Sequence, residues 1–161
     1  MMEKLTSLDY NQVLDYQADR YPYLFFDKVI EIEPGKKSVG IKNLTQNEWF
    51  FPVHFPGDPC MPGFLQAEAL TQVCALTILT LDGNKGKQVL LLSCDKLRLI
   101  KKVRPGDVMK LETELVSYRH GIAKGIGKAF VDDKLVCQCE MTFTLSESEE
   151  RQKLSPKSKK S

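Results

Sequence analysis

The stretch from Pro62 to Leu81 constrains the fold of this chain more than any other. Drawn as a helix, it places Leu65, Leu70, Val73, Leu76, Ile78 and Leu79 on nearly every side, with alanine and Cys74 between them. A helix that is apolar all round has to be covered all round. Twenty residues rising 1.5 Å each reach about 30 Å, which matches a bilayer core as well as a small domain. Gln66, Glu68 and Gln72 interrupt the pattern near one end, and no other segment is comparably apolar. The expected surroundings are therefore protein, not lipid. Asp82-Gly83-Asn84 supplies the turn chemistry that ends the helix.

The segments available to cover it read as strands. Leu24 to Ile32 and Ser38 to Asn43 flank the turn Glu33-Pro34-Gly35-Lys36. Gln88 to Ser93 is a short apolar run, and Lys110 to Tyr118 alternates with period two. Ile122 to Val131 and Lys134 to Leu145 make a hairpin across Asp132-Asp133. A shorter helix is expected from about Leu8 to Tyr16, capped by Ser7. One long buried helix against many antiparallel strands is an α+β domain, a sheet wrapped on a central helix. At 161 residues the chain has room for one such domain, expected over residues 1–145. Residues 146–161 are charged, serine-rich and almost without apolar side chains, and are expected to be a disordered tail.

A net charge of +2 gives no whole-molecule basis for binding nucleic acid or membrane. The five cysteines, Cys60, Cys74, Cys94, Cys137 and Cys139, are odd in number and lack Cys-x-x-Cys spacing. They suggest no disulfide framework and no metal site, and with no signal-peptide core at the N-terminus a cytoplasmic protein is expected. His120 lies in a turn, Tyr118-Arg119-His120-Gly121, and is given no role.

The chemistry gathers just before and just inside the long helix, in His54-Phe55-Pro56-Gly57-Asp58-Pro59-Cys60-Met61-Pro62-Gly63-Phe64-Leu65-Gln66-Ala67-Glu68. Imidazole and carboxylate are the usual pair for moving protons near neutral pH. Prolines and glycines stiffen the backbone between them. Gly63 falls at the helix N-terminus, where free N–H groups and the positive end of the dipole receive an oxyanion. Gln72 is four residues beyond Glu68, on the same face, within reach of its carboxylate. A carboxyl opening an apolar helix is partly desolvated, which favours the neutral acid. A base, an oxyanion site and an acid describe β-elimination next to a carbonyl, or its reverse.

This signature resembles the active-site motif of the 3-hydroxyacyl-(acyl-carrier-protein) dehydratases of the FabZ/FabA family. Further matches run from about Leu8 to Leu145: Arg20-Tyr21-Pro22, Phe26-Asp27-Lys28-Val29, Glu33-Pro34-Gly35-Lys36, Asn47-Glu48, Asp95, Arg98, Pro105-Gly106-Asp107 and Gly125 to Ala129. The resemblance implies a hot-dog fold and a homodimer with two shared active sites, often assembled as a trimer of dimers. His54 of one subunit would face Glu68 of the other. His54 would take the C2 proton and Glu68 would protonate the departing hydroxyl. The Gly63 N–H would hold the thioester oxygen, the Cys60 carbonyl would orient the imidazole, and Gln72 would support Glu68. The substrate would arrive on the phosphopantetheine of acyl carrier protein, with no metal or redox cofactor. Lys96, Arg98, Lys101, Lys102 and Arg104 form a basic run, read either as a solvated face or as the docking rim for that acidic carrier.

The sequence departs from the family pattern at Val53, where glycine usually precedes the histidine. Glu68 is FabZ-like, whereas Asp58 is FabA-like. These departures are compatible with a polyketide, aryl-polyene or other secondary acyl chain as well as with fatty acid synthesis. Two other readings stay open at this point. One is a hot-dog acyl thioesterase. The other is a non-catalytic acyl-binding subunit of a dehydratase heterodimer.

Overall fold

The computed structural model describes residues 4–147. A short helix, α1 (Tyr10–Tyr16), precedes two strands, β1 (Lys28–Glu33) and β2 (Lys37–Asn43). The long helix α2 (Gly63–Leu79) follows, then four longer strands: β3 (Gln88–Leu99), β4 (Val108–Arg119), β5 (Ile122–Val131) and β6 (Lys134–Ser146). All six strands form one antiparallel sheet in the order β1-β2-β4-β5-β6-β3. The sheet curls around α2, which packs against every strand. This is the α+β hot-dog architecture, and the expected buried helix is its axis.

Thirteen of the α2 residues are buried, from Gln66 to Leu79 with only Glu68 left partly open. Thr71 and Thr77 return their hydroxyls to the carbonyls of Ala67 and Cys74, so these polar side chains satisfy themselves inside the core. The sheet comes close because glycines face the helix. A Cβ on Gly125 would run into Cys74 Sγ, and one on Gly127 would sit 2.9 Å from Leu70 Cβ. The helix ends where Asn84 donates its amide to Ile78 O and Gly83 adopts φ +84°.

Three of the element boundaries that differ from the sequence reading do so for a local reason that the structure shows. Helix α1 is capped by Asp9, not Ser7. Leu8 is drawn into a two-way backbone bridge with Val29, so the helix starts after it, and Asp9 and Gln12 complete a capping box. Strand β1 starts at Lys28, because the Phe25 N–H donates to the Gln72 side chain and not to a neighbouring strand. Strand β3 runs on to Leu99, past irregularities in its pairing with β6 at Leu91/Ser93 and Asp95/Arg98. Of the expected C-terminal tail, Ser146 closes β6 and residues 148–161 lie outside the described residues.

Candidate active site

The His54 loop is built by short-range bonds. The buried Lys42 at the end of β2 pairs with Glu48, and Phe50 and Phe51 insert into the core. The N–H of His54 then donates to Phe50 O, and Phe55 and Asp58 exchange backbone bonds in both directions. The His54–Phe55 peptide is cis. The loop is fastened to the β3–β4 connection by Met61 N–H to Val103 O and by Asp58, which pairs with both Lys102 and Arg104. Those two cations hold the Asp58 carboxyl down to about 2.

His54 Nδ1 lies 2.9 Å from the carbonyl oxygen of Cys60. A carbonyl only accepts, so Nδ1 carries the proton and Nε2 keeps its lone pair. The Cys60 carbonyl thus fixes which ring nitrogen holds the proton. The imidazole opens on a cavity of about 260 Å³ whose walls include Cys60, Gly63, Gln66, Leu99 and Lys101. Leu65 and Gln66 donate to Pro62 O, so the N–H groups of Gly63 and Phe64 precede the helical ladder. Gly63 also has a packing reason to be glycine: Leu99 fills the space a Cβ would take.

Glu68 is not in this cavity. Among the described residues no hydrogen bond or ion pair joins it to His54. Its carboxylate accepts from Gln72 Nε2 at 3.1 Å, as the spacing on the helix predicts. Gln72 does more than that. It also donates to Tyr23 O at 2.7 Å and accepts from Phe25 N–H at 2.9 Å, tying the segment after α1 to α2. Burial pushes the Glu68 carboxyl up to about 7; the Gln72 hydrogen bond works against the rise, and the charge of Asp19 adds to it. Asp19 and Tyr23 were not legible as site residues. The only sequence sign was an acid in the break Asp19-Arg20-Tyr21-Pro22-Tyr23.

The raised carboxyl has a consequence for stability. Between about pH 4.5 and 7 the unfolded chain has released this proton while the folded chain still holds it, so Glu68 destabilises the fold progressively as pH rises through that window. Glu68→Gln keeps the bond from Gln72 without the charge. Urea denaturation is expected to give equal stabilities for the two proteins near pH 4, and a gain of about 1–3 kcal/mol for the variant at pH 8.

The basic run is partly neutralised. Lys96 pairs with Glu140, while Lys102 and Arg104 are committed to Asp58. Among the described residues, Arg98 and Lys101 have no ion-pair partner, and both are exposed. Cys137 and Cys139 are buried free thiols, and His120 sits in a turn at φ 52°. No three His, Cys, Asp or Glu side chains among the described residues are grouped to hold a metal ion. No described helix is long and apolar enough to cross a membrane.

The fold and the site can be set beside known proteins. Residues 18–140 match the model of the FabA-like domain. The chain is 46% identical over 142 residues to a 3-hydroxyacyl-(acyl-carrier-protein) dehydratase FabZ of Alkaliphilus metalliredigens, covering 88% of this chain and 95% of that protein. It is 45% identical over 140 residues to the FabZ of Clostridioides difficile, covering 87% and 99%. Among solved structures, the dehydratase heterocomplex ApeI:P of Xenorhabdus doucetiae superimposes with a TM-score of 0.70 at 13% identity, over 94% of this chain and 98% of that one. At that identity the likeness is one of fold alone. A hypothetical thioesterase of Streptococcus pneumoniae shares the fold at a TM-score of 0.57 and 12% identity. The domain match and the near-full-length identity place this chain in the FabA-like family, among its FabZ-like 3-hydroxyacyl-(acyl-carrier-protein) dehydratases.

Proposed function

We propose that this protein removes water from 3-hydroxyacyl thioesters carried on acyl carrier protein, in fatty acid biosynthesis, with His54 as the base and Glu68 as the acid. The observation that carries the assignment is the fixed imidazole: Nδ1 is spent on Cys60 O, so Nε2 is the free base facing the cavity beside Gly63. Nε2 takes the proton from C2 of the acyl chain. The C2–H electron pair moves towards the thioester, and the oxygen's growing charge is met by the Gly63 N–H at the positive end of α2. The pair then forms the C2=C3 double bond as the C3–O bond breaks. Glu68, protonated near neutrality because it is buried, gives its proton to the departing hydroxyl, which leaves as water. No net oxidation or reduction occurs, and the reading uses neither redox cofactor nor metal. Gln72 holds the Glu68 carboxyl in place.

The acid and the base come from two copies of the chain. Strand β3 is an edge of the sheet, and it carries Leu90, Leu91, Leu92 and Leu99, each between 42% and 54% exposed. A long apolar edge is a template for another strand. The His54 cavity is walled by Leu99 and Ile100 at the end of that edge. Pairing of β3 with its own copy about a two-fold axis supplies Glu68 from the partner and closes the cavity. A trimer of such dimers is the further assembly the family resemblance implies.

Acyl carrier protein docks on the exposed cations beside the cavity, with Lys101 in its wall and Arg98 along β3. Lys102 and Arg104 hold the loop through Asp58. The test follows absorbance of the enoyl thioester. The wild type is expected to turn over carrier-bound substrate. Arg98→Glu with Lys101→Glu is expected to lower kcat/KM on that substrate about tenfold while changing a small thioester mimic less than twofold. Equal losses on both substrates would remove the docking assignment. Release of free thiol in place of an enoyl product would replace the dehydratase reading with a thioesterase.

A further inference from the structure

The loop from His54 to Cys60 is closed on itself. Cys60 N–H donates to His54 O at 2.8 Å, the imidazole donates back to Cys60 O, and Phe55 and Asp58 exchange backbone bonds across the middle. This closed unit carries both the imidazole and the carbonyl that sets its tautomer. It is anchored at its ends: His54 N–H donates to Phe50 O, Met61 N–H to Val103 O, and the buried Gln66 amide to Met61 O at 3.0 Å. Between those ends, the hydrogen bonds recorded from the loop to the rest of the described residues all run to two cations. Asp58 Oδ2 accepts from Lys102 Nζ at 2.5 Å, and Oδ1 accepts from Arg104 Nη1 at 2.7 Å, which also reaches Pro59 O at 3.4 Å. The Arg104 backbone is held in turn, its N–H donating to Asp107 Oδ2 at 2.8 Å. Lys102 lines the same cavity as His54, Cys60 and Gly63. Asp58 therefore ties the tip of the loop to another wall of the cavity on which the imidazole opens.

We infer that Asp58 is a positioning residue for proton abstraction, its ion pairs with Lys102 and Arg104 holding the loop so that His54 Nε2 keeps its place at the cavity. This rests on the reading of His54 as the base. All three side chains are about half exposed, and exposed pairs contribute little to the stability of a fold. Placement of a base is more demanding. It has to stand about 3 Å from the group it deprotonates, and a displacement of about 1 Å can cost roughly a hundredfold in rate. A tie too weak to matter for folding is therefore strong enough to matter for the reaction. The carboxylate is charged near neutrality, since the two cations hold the Asp58 carboxyl down to about 2. Because the pairs face water, salt screens them, and the position of the base inherits that sensitivity.

The test uses the full chain and a small uncharged thioester mimic, so that carrier docking has no part in the result. Asp58→Asn keeps the shape of the side chain but removes the charge. It is expected to lower kcat about tenfold, with KM within twofold of wild type and the thermal midpoint nearly unchanged. Asp58→Glu, which keeps the charge, should recover most of the loss. Lys102→Gln combined with Arg104→Gln removes the same tie from the other side, so adding Asp58→Asn to that pair should cost almost nothing further. Sodium chloride at about 1 M, where the screening length is roughly 3 Å, should lower the wild-type kcat about threefold and leave Asp58→Asn unchanged. Hydrogen exchange at the Cys60 amide gives a readout independent of activity, and it should quicken in Asp58→Asn but not in Asp58→Glu. A wild-type kcat in Asp58→Asn, additive losses in the combined variant, or unchanged Cys60 exchange would each overturn the inference and leave the base assignment standing. An active His54→Ala protein would instead overturn the base reading on which the inference rests.

Discussion

His54→Ala is expected to slow formation of the enoyl thioester roughly a thousandfold while leaving the fold and the assembly intact, because a positioned general base is worth about that much. The side chain is half-buried and touches little: Cys60 O and Sγ through Nδ1, and the Phe55 ring stacked at 4.0 Å between centroids. The loss would therefore be chemical. Glu68→Gln should behave alike, since the amide still accepts from Gln72 but has no acidic proton to transfer to a leaving hydroxyl. Steady-state rates with circular dichroism and sedimentation on the same samples check this. An active His54→Ala protein would remove the base from the account.

The second large effect comes from the apolar edge of β3. Leu91→Lys combined with Leu92→Lys puts two charges on the apolar edge of β3 and should leave a folded monomer. If the acid and base belong to different chains, that monomer loses activity at least as completely as His54→Ala. The loss follows from dismantling the site and not from damage to either half. Each subunit's own core surrounds α2 and does not use the free side of β3, so thermal unfolding should remain cooperative. Sedimentation velocity and the enoyl assay decide it. A monomeric variant with wild-type turnover would contradict the two-chain site.

Much of this was legible in the sequence because the physics is local. An all-round apolar run has to be enclosed, and α2 is. Glu68 and Gln72 share a helix face, and they are bonded. Where tertiary contacts compete with local preference, the reading slipped. Leu24 to Phe26 are apolar enough for a strand, yet Gln72 takes the Phe25 N–H. The polar residues Asp95, Lys96 and Arg98 hide the second half of β3, whose pairing passes through an irregularity with Lys96 at φ 51°. The basic run looked uniform until Asp58, more than forty residues away in sequence, was seen to hold two of its members. The partition of His54 and Glu68 between two places in one chain is not a property of spacing at all. It came into the sequence reading only through family resemblance.

The central claim is that base and acid meet from different chains, and mixed dimers test it most directly. His54→Ala and Glu68→Gln proteins, each inactive alone, are unfolded together, refolded and assayed. Random pairing makes half of the dimers mixed, and each mixed dimer holds one intact site, so about one quarter of wild-type activity should return. Mixing without subunit exchange should return none. A refolded mixture as inactive as its components would contradict the shared site and place both groups in one chain.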